Sequence, residues 1–144
     1  MKEKWIMTLR NVQYEDDDTT EITLNTEANY LLLSDGTKAI VYQETETTGM
    51  EGSITRLQVS SDNTVSIIRN GTFQAHLVIQ MGKKHFCSYE TPFGELSFGV
   101  SAKYVHNNLT SDNGGTLAFR YIIDSNSSLL SDNEILIEIK KHVC

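Results

Sequence analysis

Apolar and polar positions alternate at a spacing of two along most of the chain, the pattern of strands with one buried and one wet face. Between residues 20 and 33, Ile22, Leu24, Ala28, Tyr30 and Leu32 share one face, with Glu21, Thr23, Asn25, Glu27 and Asn29 opposite. Leu96, Phe98, Val100, Ala102 and Tyr104 make a second row. Leu117, Phe119, Tyr121 and Ile123 make a third, and Ile135, Ile137 and Ile139 a fourth. The alternation predicts ten strands, over 4–14, 20–33, 38–46, 53–60, 64–69, 73–80, 85–91, 95–106, 116–124 and 134–142, or eight or nine if neighbours merge across a bend. No segment of helical length carries a 3.6-residue stripe.

Turn chemistry separates these rows. Ser34-Asp35-Gly36, Ser61-Asp62-Asn63, Ser111-Asp112-Asn113-Gly114-Gly115 and Ser131-Asp132-Asn133 supply side chains that bond nearby backbone and glycines that accept positive φ. Asn70-Gly71 suits the type I′ turn of a tight hairpin. Short links between successive strands favour an up-and-down meander, and closing such a sheet removes its two exposed edges. The expected fold is all-β: residues 1–144 as one antiparallel up-and-down β-barrel.

In a meander, alternate turns share a rim. The turns at 15–19, 47–52, 70–71, 92–94 and 125–133 fall at one end, and those at 34–37, 61–63, 81–84 and 107–115 at the other. Two charges stand on apolar rows near the first rim. Glu44 follows Ile40 and Tyr42, and Arg69 follows Val65 and Ile67. Neither charge is readily buried alone, so the pattern predicts that Glu44 and Arg69 pair inside the barrel mouth, either as an ordinary architectural salt bridge at the rim or as part of a ligand site. Tyr89 and Thr91 share a face at the same rim and offer hydroxyls to a ligand or to Glu44. Tyr42, Glu44, Arg69, Tyr89 and Thr91 are therefore the candidate ligand-binding residues.

Composition supports the sheet, with 15 Thr, 12 Ile and 8 Val against 5 Ala. The net charge of −7, with 12 basic and 19 acidic residues, speaks against nucleic acid and anionic membranes as partners. No apolar run approaches the roughly 18–20 residues that span a bilayer, and the start of the chain is too polar for a signal-peptide core, so a cytoplasmic protein is expected. Cys87 and Cys144 form no disulfide or zinc pattern. His76, His85, His106 and His142 are scattered, and the run Glu15-Asp16-Asp17-Asp18 lacks the glycine and terminal glutamate of a calcium loop. No metal or cofactor is expected, and no nucleophile elbow or phosphate-binding loop occurs.

The order Tyr42-x-Glu44, Ile54-Thr55, Arg69-x-Gly71, Gly82 and Tyr89-x-Thr91-Pro92-Phe93-Gly94, followed by the strand pair 116–124 and 134–140, resembles the YwiB-like family across roughly residues 4–141. That resemblance implies a calycin-like (lipocalin-like) barrel in a small cytoplasmic bacterial protein, with no assigned catalytic residues.

Three functions compete. The leading one is a binding module for a small apolar or amphipathic ligand, walled by Tyr30, Tyr42, Phe98, Tyr104, Phe119 and Tyr121 and oriented by Glu44 and Arg69. An interior void above roughly 300 Å³ would mark it. The second is a filled barrel that contacts a partner, or a second copy of itself, through an edge or rim. The third is an enzyme using Glu44 as acid or base beside Arg69; it lacks a nucleophile, metal or cofactor motif.

Overall fold

The computed structural model describes residues 3–72, 74–91, 94–125 and 128–143. Ten strands follow in chain order: β1 (Glu3–Glu15), β2 (Asp18–Leu32), β3 (Lys38–Gln43), β4 (Ser53–Val59), β5 (Val65–Gly71), β6 (Ala75–Ile79), β7 (Lys84–Thr91), β8 (Gly94–Thr110), β9 (Gly114–Ser125) and β10 (Ser128–Val143). Each pairs antiparallel with the next, and β1 pairs with β10, so the meander closes into a barrel. A single 3-10 turn, Glu46–Thr48, is the helical element among the described residues. None of the described helical segments is long and apolar enough to cross a membrane.

Most positions of the predicted rows form the inner wall, though Leu32 at the end of β2 is exposed. Met7, Val100, Leu117, Phe119 and Ile139 are fully or almost fully buried, and Tyr42 and Tyr121 join them in the core. Tyr30, Phe98, Trp5 and Ala28 pack against that cluster from less buried positions. Burying one such large side chain contributes about 1.5–3 kcal/mol, and the cluster runs round the whole lumen.

Several sequence expectations need correction. Tyr104 does not line the interior. The β8–β9 register shifts between Ala102 and Tyr104, an extra residue that reverses the alternation. Val105 packs on the core instead, and Tyr104 turns outward to donate a hydrogen bond to Glu134. Asn70-Gly71 is not the hairpin turn either: β5 continues through Gly71, which pairs with Ser53 of β4. Gly71 has φ 120°, and a Cβ there would sit 2.4 Å from the Gly52 carbonyl oxygen. The glycine serves close strand contact. Ser131-Asp132-Asn133, read as a turn, lies within β10 beyond a register shift between Leu129 and Ser131.

Those outward-turned residues build a polar brace outside the barrel. Arg120 on β9 forks onto Asp132 with two bonds of 2.9 Å and lies 4.0 Å from the ring centre of Tyr14 on β1. Lys103 stands 3.7 Å from the same Asp132. Tyr14 donates to Glu134 at 2.7 Å, beside the Tyr104 bond. Arg120 holds the Asp132 carboxyl below its ordinary range, and the bonds from Tyr104 and Tyr14 do the same for Glu134. Nearby, Gly99 carries no side chain where Lys84 crosses to Asp124, and the two charged groups meet at 2.9 Å.

Along most of the wall the ladders are long. The β2–β3 and β6–β7 ladders are not: the first spans only Asn29↔Val41 to Leu32↔Lys38, and the second, among the described residues, registers only Ala75↔Tyr89. Strand β3 has 6 residues against 15 in β2, so the first part of β2 runs on beside the loop that follows β3. The barrel therefore has a splayed seam toward the rim where Glu44 lies.

Gly71→Ala should lose about 1–3 kcal/mol in urea denaturation, because the strained φ is joined by a clash with immobile backbone. Gly82→Ala, with φ 76° and open space around its Cβ position, should lose less. Equal losses would contradict the close approach at Gly71.

Candidate functional site

Tyr42, Thr55 and Arg69 are successive cross-strand partners on β3, β4 and β5, and the rung continues through Ala75 on β6 to Tyr89 on β7. Directly opposed residues face the same way, so Tyr42, Thr55 and Arg69 all point inward. Glu44 lies one inward position nearer the rim. Its amide donates to the Ser53 carbonyl at 2.9 Å, which keeps it in register with β4 after β3 has ended. The loop then turns through the 3-10 segment, where the Thr45 hydroxyl accepts from the Thr47 amide at 3.3 Å. Gly49 ends that turn in the left-handed region.

The predicted pairing is present. Arg69 Nε lies 3.8 Å from Glu44 Oε2, with the side chains 15% and 1% exposed. The contact is too long to be a hydrogen bond, and Nε instead donates to Thr55 Oγ1 at 3.1 Å. Neither carboxylate oxygen of Glu44 has a hydrogen-bond partner. Asn11 Oδ1, on β1, is likewise buried and unpartnered. Both residues line one cavity of about 80 Å³, together with Tyr42, Thr48, Arg69 and Tyr121.

Electrostatics follow from this geometry. Burial pushes the Glu44 carboxyl above its ordinary pKa. The Arg69 guanidinium and the hydroxyls of Tyr42, Thr55 and Thr48 pull it back, though none closes a bond on either oxygen. Burial also raises the Tyr42 phenol, and lifts that of Tyr121 to about 12. The site thus holds buried carboxylate oxygens that a guanidinium and three hydroxyls face without closing a hydrogen bond.

Outside the cavity, the seam between β2 and β3 forms a cleft of about 710 Å³. Trp5, Ala28, Val41 and Ile54 give it apolar surface, and Asn29 and Gln43 polar surface. Lys4 and Glu27, 3.6 Å apart, stand among its lining residues. Tyr42 lines both the cleft and the inner cavity.

Of the five candidate residues, the fold brings Tyr42, Glu44 and Arg69 together. Tyr89 and Thr91 belong to β7 by backbone, but their side chains lie outside the described part of the structure, as do Pro92 and Phe93 altogether. Asn11 and Trp5 were not among the candidates. Asn11 carried a readable signal, a polar side chain following Trp5, Met7 and Leu9 on the inward row of β1.

Residues 7–137 match the family described as Domain of unknown function (DUF1934). The chain belongs to the DUF1934 family. The crystal structure of the ywiB protein from Bacillus subtilis has the same fold as this DUF1934 chain. Its TM-score is 0.81 at 18% identity, over 98% of this chain and 94% of that one. No curated protein matches the chain. The resemblance read from Tyr42, Glu44, Thr55 and Arg69 is therefore borne out, and in this DUF1934 protein three of those residues form one inward rung.

The raised pKa of Glu44 gives a pH test. The native state binds this proton more tightly than the unfolded chain. Its contribution is present below the ordinary glutamate range and is lost as pH rises through the folded pKa. The stability of Glu44→Gln relative to wild type should therefore increase as pH rises from the ordinary glutamate range through neutrality, in paired urea titrations. A pH-independent difference would contradict it.

Proposed function

We propose that this protein is a binding module for a small amphipathic ligand, whose polar head enters the Glu44–Arg69 cavity and whose apolar part lies in the β2–β3 cleft. The observation that carries the reading is the buried Glu44 carboxylate, with both oxygens unpartnered at the wall of a cavity. An unsatisfied buried acceptor costs about 1–3 kcal/mol, more when charged, and a ligand that bonds it recovers that cost.

The cavity volumes support a ligand divided between the two spaces. At about 80 Å³ the inner cavity is far below the roughly 300 Å³ expected of a pocket that swallows a whole ligand. Elsewhere inward-facing aromatic side chains occupy the lumen, as Phe119 and Tyr121 do with rings 6.0 Å apart. The cleft has the missing volume, and Trp5, Ala28, Val41 and Ile54 supply apolar surface within a lining that is polar in larger part. A head in one space and a chain in the other pass along the Tyr42 ring.

Native mass spectrometry of the protein purified from its own host should show an adduct that leaves on denaturation. Trp5, the one tryptophan of the chain, lines the cleft and reports its occupancy. Its emission should change when the adduct is stripped and recover on adding it back. An unliganded mass, with no emission change across a panel of amphiphiles, would leave the filled structural barrel as the better account.

A further inference from the structure

We propose that the head group this cavity recognises is a protonated primary amine, held by Glu44 and Asn11. The inference rests on the amphipathic-ligand reading above and names the chemistry of the head. Among the described residues, the buried side-chain atoms without hydrogen-bond partners are Asn11 Oδ1, Glu44 Oε1 and Glu44 Oε2. All three are acceptors, and both residues line the same cavity. Such a set calls for a donor, and an ammonium carries three N–H donors and no acceptor.

Charge agrees with the hydrogen-bond count. Arg69 Nε is turned to Thr55, and at 3.8 Å from Glu44 it compensates the carboxylate incompletely. The Glu44 side chain is 1% exposed, so water screens it little and it attracts a cation that sits nearer to it than to Arg69. A carboxylate head would instead meet Glu44 at short range, two like charges in a desolvated space. A hydroxyl head satisfies one acceptor through its single donor and leaves the carboxylate charge unpaired. The cavity accepts a compact head, and the aliphatic carbons of a short chain suit the Trp5, Ala28 and Ile54 surfaces of the cleft.

Burial keeps the Glu44 carboxyl inclined to hold its proton, and an arriving ammonium favours the anion. Facing it are the Arg69 guanidinium and the hydroxyls of Tyr42, Thr48 and Thr55, with the Asn11 amide and Tyr121 on the cavity wall. Binding of the amine therefore releases a proton from the carboxyl where it was protonated. Affinity rises with pH until Glu44 is ionised in the free protein.

The test titrates the full chain with n-hexylammonium, 1-hexanol and hexanoate by calorimetry and Trp5 fluorescence. Hexylammonium should bind about tenfold or more tighter than hexanol, the scale of a charge-assisted hydrogen bond, with hexanoate weakest. Its affinity should rise from about pH 5 to about pH 8, with proton release seen as a buffer-dependent heat. Glu44→Gln should erase the preference for the amine, bringing hexylammonium affinity down to that of hexanol for the same variant. If that variant does not fold, the three head groups and the pH series on wild-type protein decide alone. Hexanol or hexanoate binding as tightly as the amine would overturn the head-group assignment and leave the amphipathic reading standing. No binding by any of the three would overturn both, the orphan acceptors then being met by solvent.

Discussion

Closure of the sheet is the constraint on which the rest depends. Strands β1 and β10 pair from Glu3↔Val143 to Gln13↔Asn133, so a meander that would otherwise expose two long edges has none at its ends. Closure sets which faces look inward all round the wall. It turns a linear alternation of apolar residues into a shared core, and it makes any polar residue on an inner row costly. Glu44, Arg69 and Asn11 are such residues, and they lie together near one rim. The barrel gathers the exceptions to its own pattern in one place.

The site follows from how that wall is interrupted. Strand β3 is too short to follow β2 along its length, and the chain leaves the sheet after Gln43 into the loop holding Thr48 and Met50. The same loop that opens the seam carries part of the cavity lining. Glu44 sits at the junction, still hydrogen-bonded to β4 through its amide yet beyond the strand. Its side chain is buried without the partners that an unbroken lattice of polar groups would supply. A water-filled or ligand-filled cavity is the physical answer to such a carboxylate.

Much of this was legible in the sequence because a strand has a period of two and a meander reverses at every turn. Those two rules were enough to place Glu44 and Arg69 inward and at the same rim. Both fail wherever one residue is added. The shift at Lys103 put Tyr104 outside, and no residue type there marks it. Asn70-Gly71 and Ser131-Asp132-Asn133 carry turn chemistry, yet tertiary pairing held them in strands, where Gly71 meets Gly52 and Asp132 meets Arg120. The splay between β2 and β3 was hidden for a different reason. Alternation reports which face a residue shows, and says nothing about how many backbone bonds join neighbouring strands.

The brace of Tyr14, Arg120, Asp132 and Glu134 has a mechanical consequence. It ties β1, β9 and β10 to one another through side chains as well as through their ladders, and Tyr104 adds β8. The seam has neither a full ladder nor, among the described residues, a comparable cross-link along the unpaired part of β2. Local opening costs least where the fewest bonds must break. Breathing of this cylinder is therefore lopsided: one side acts as a stiff spine, and thermal gaping falls on the thinly paired side, at β6–β7 and where β3 peels from β2 beside the buried acid.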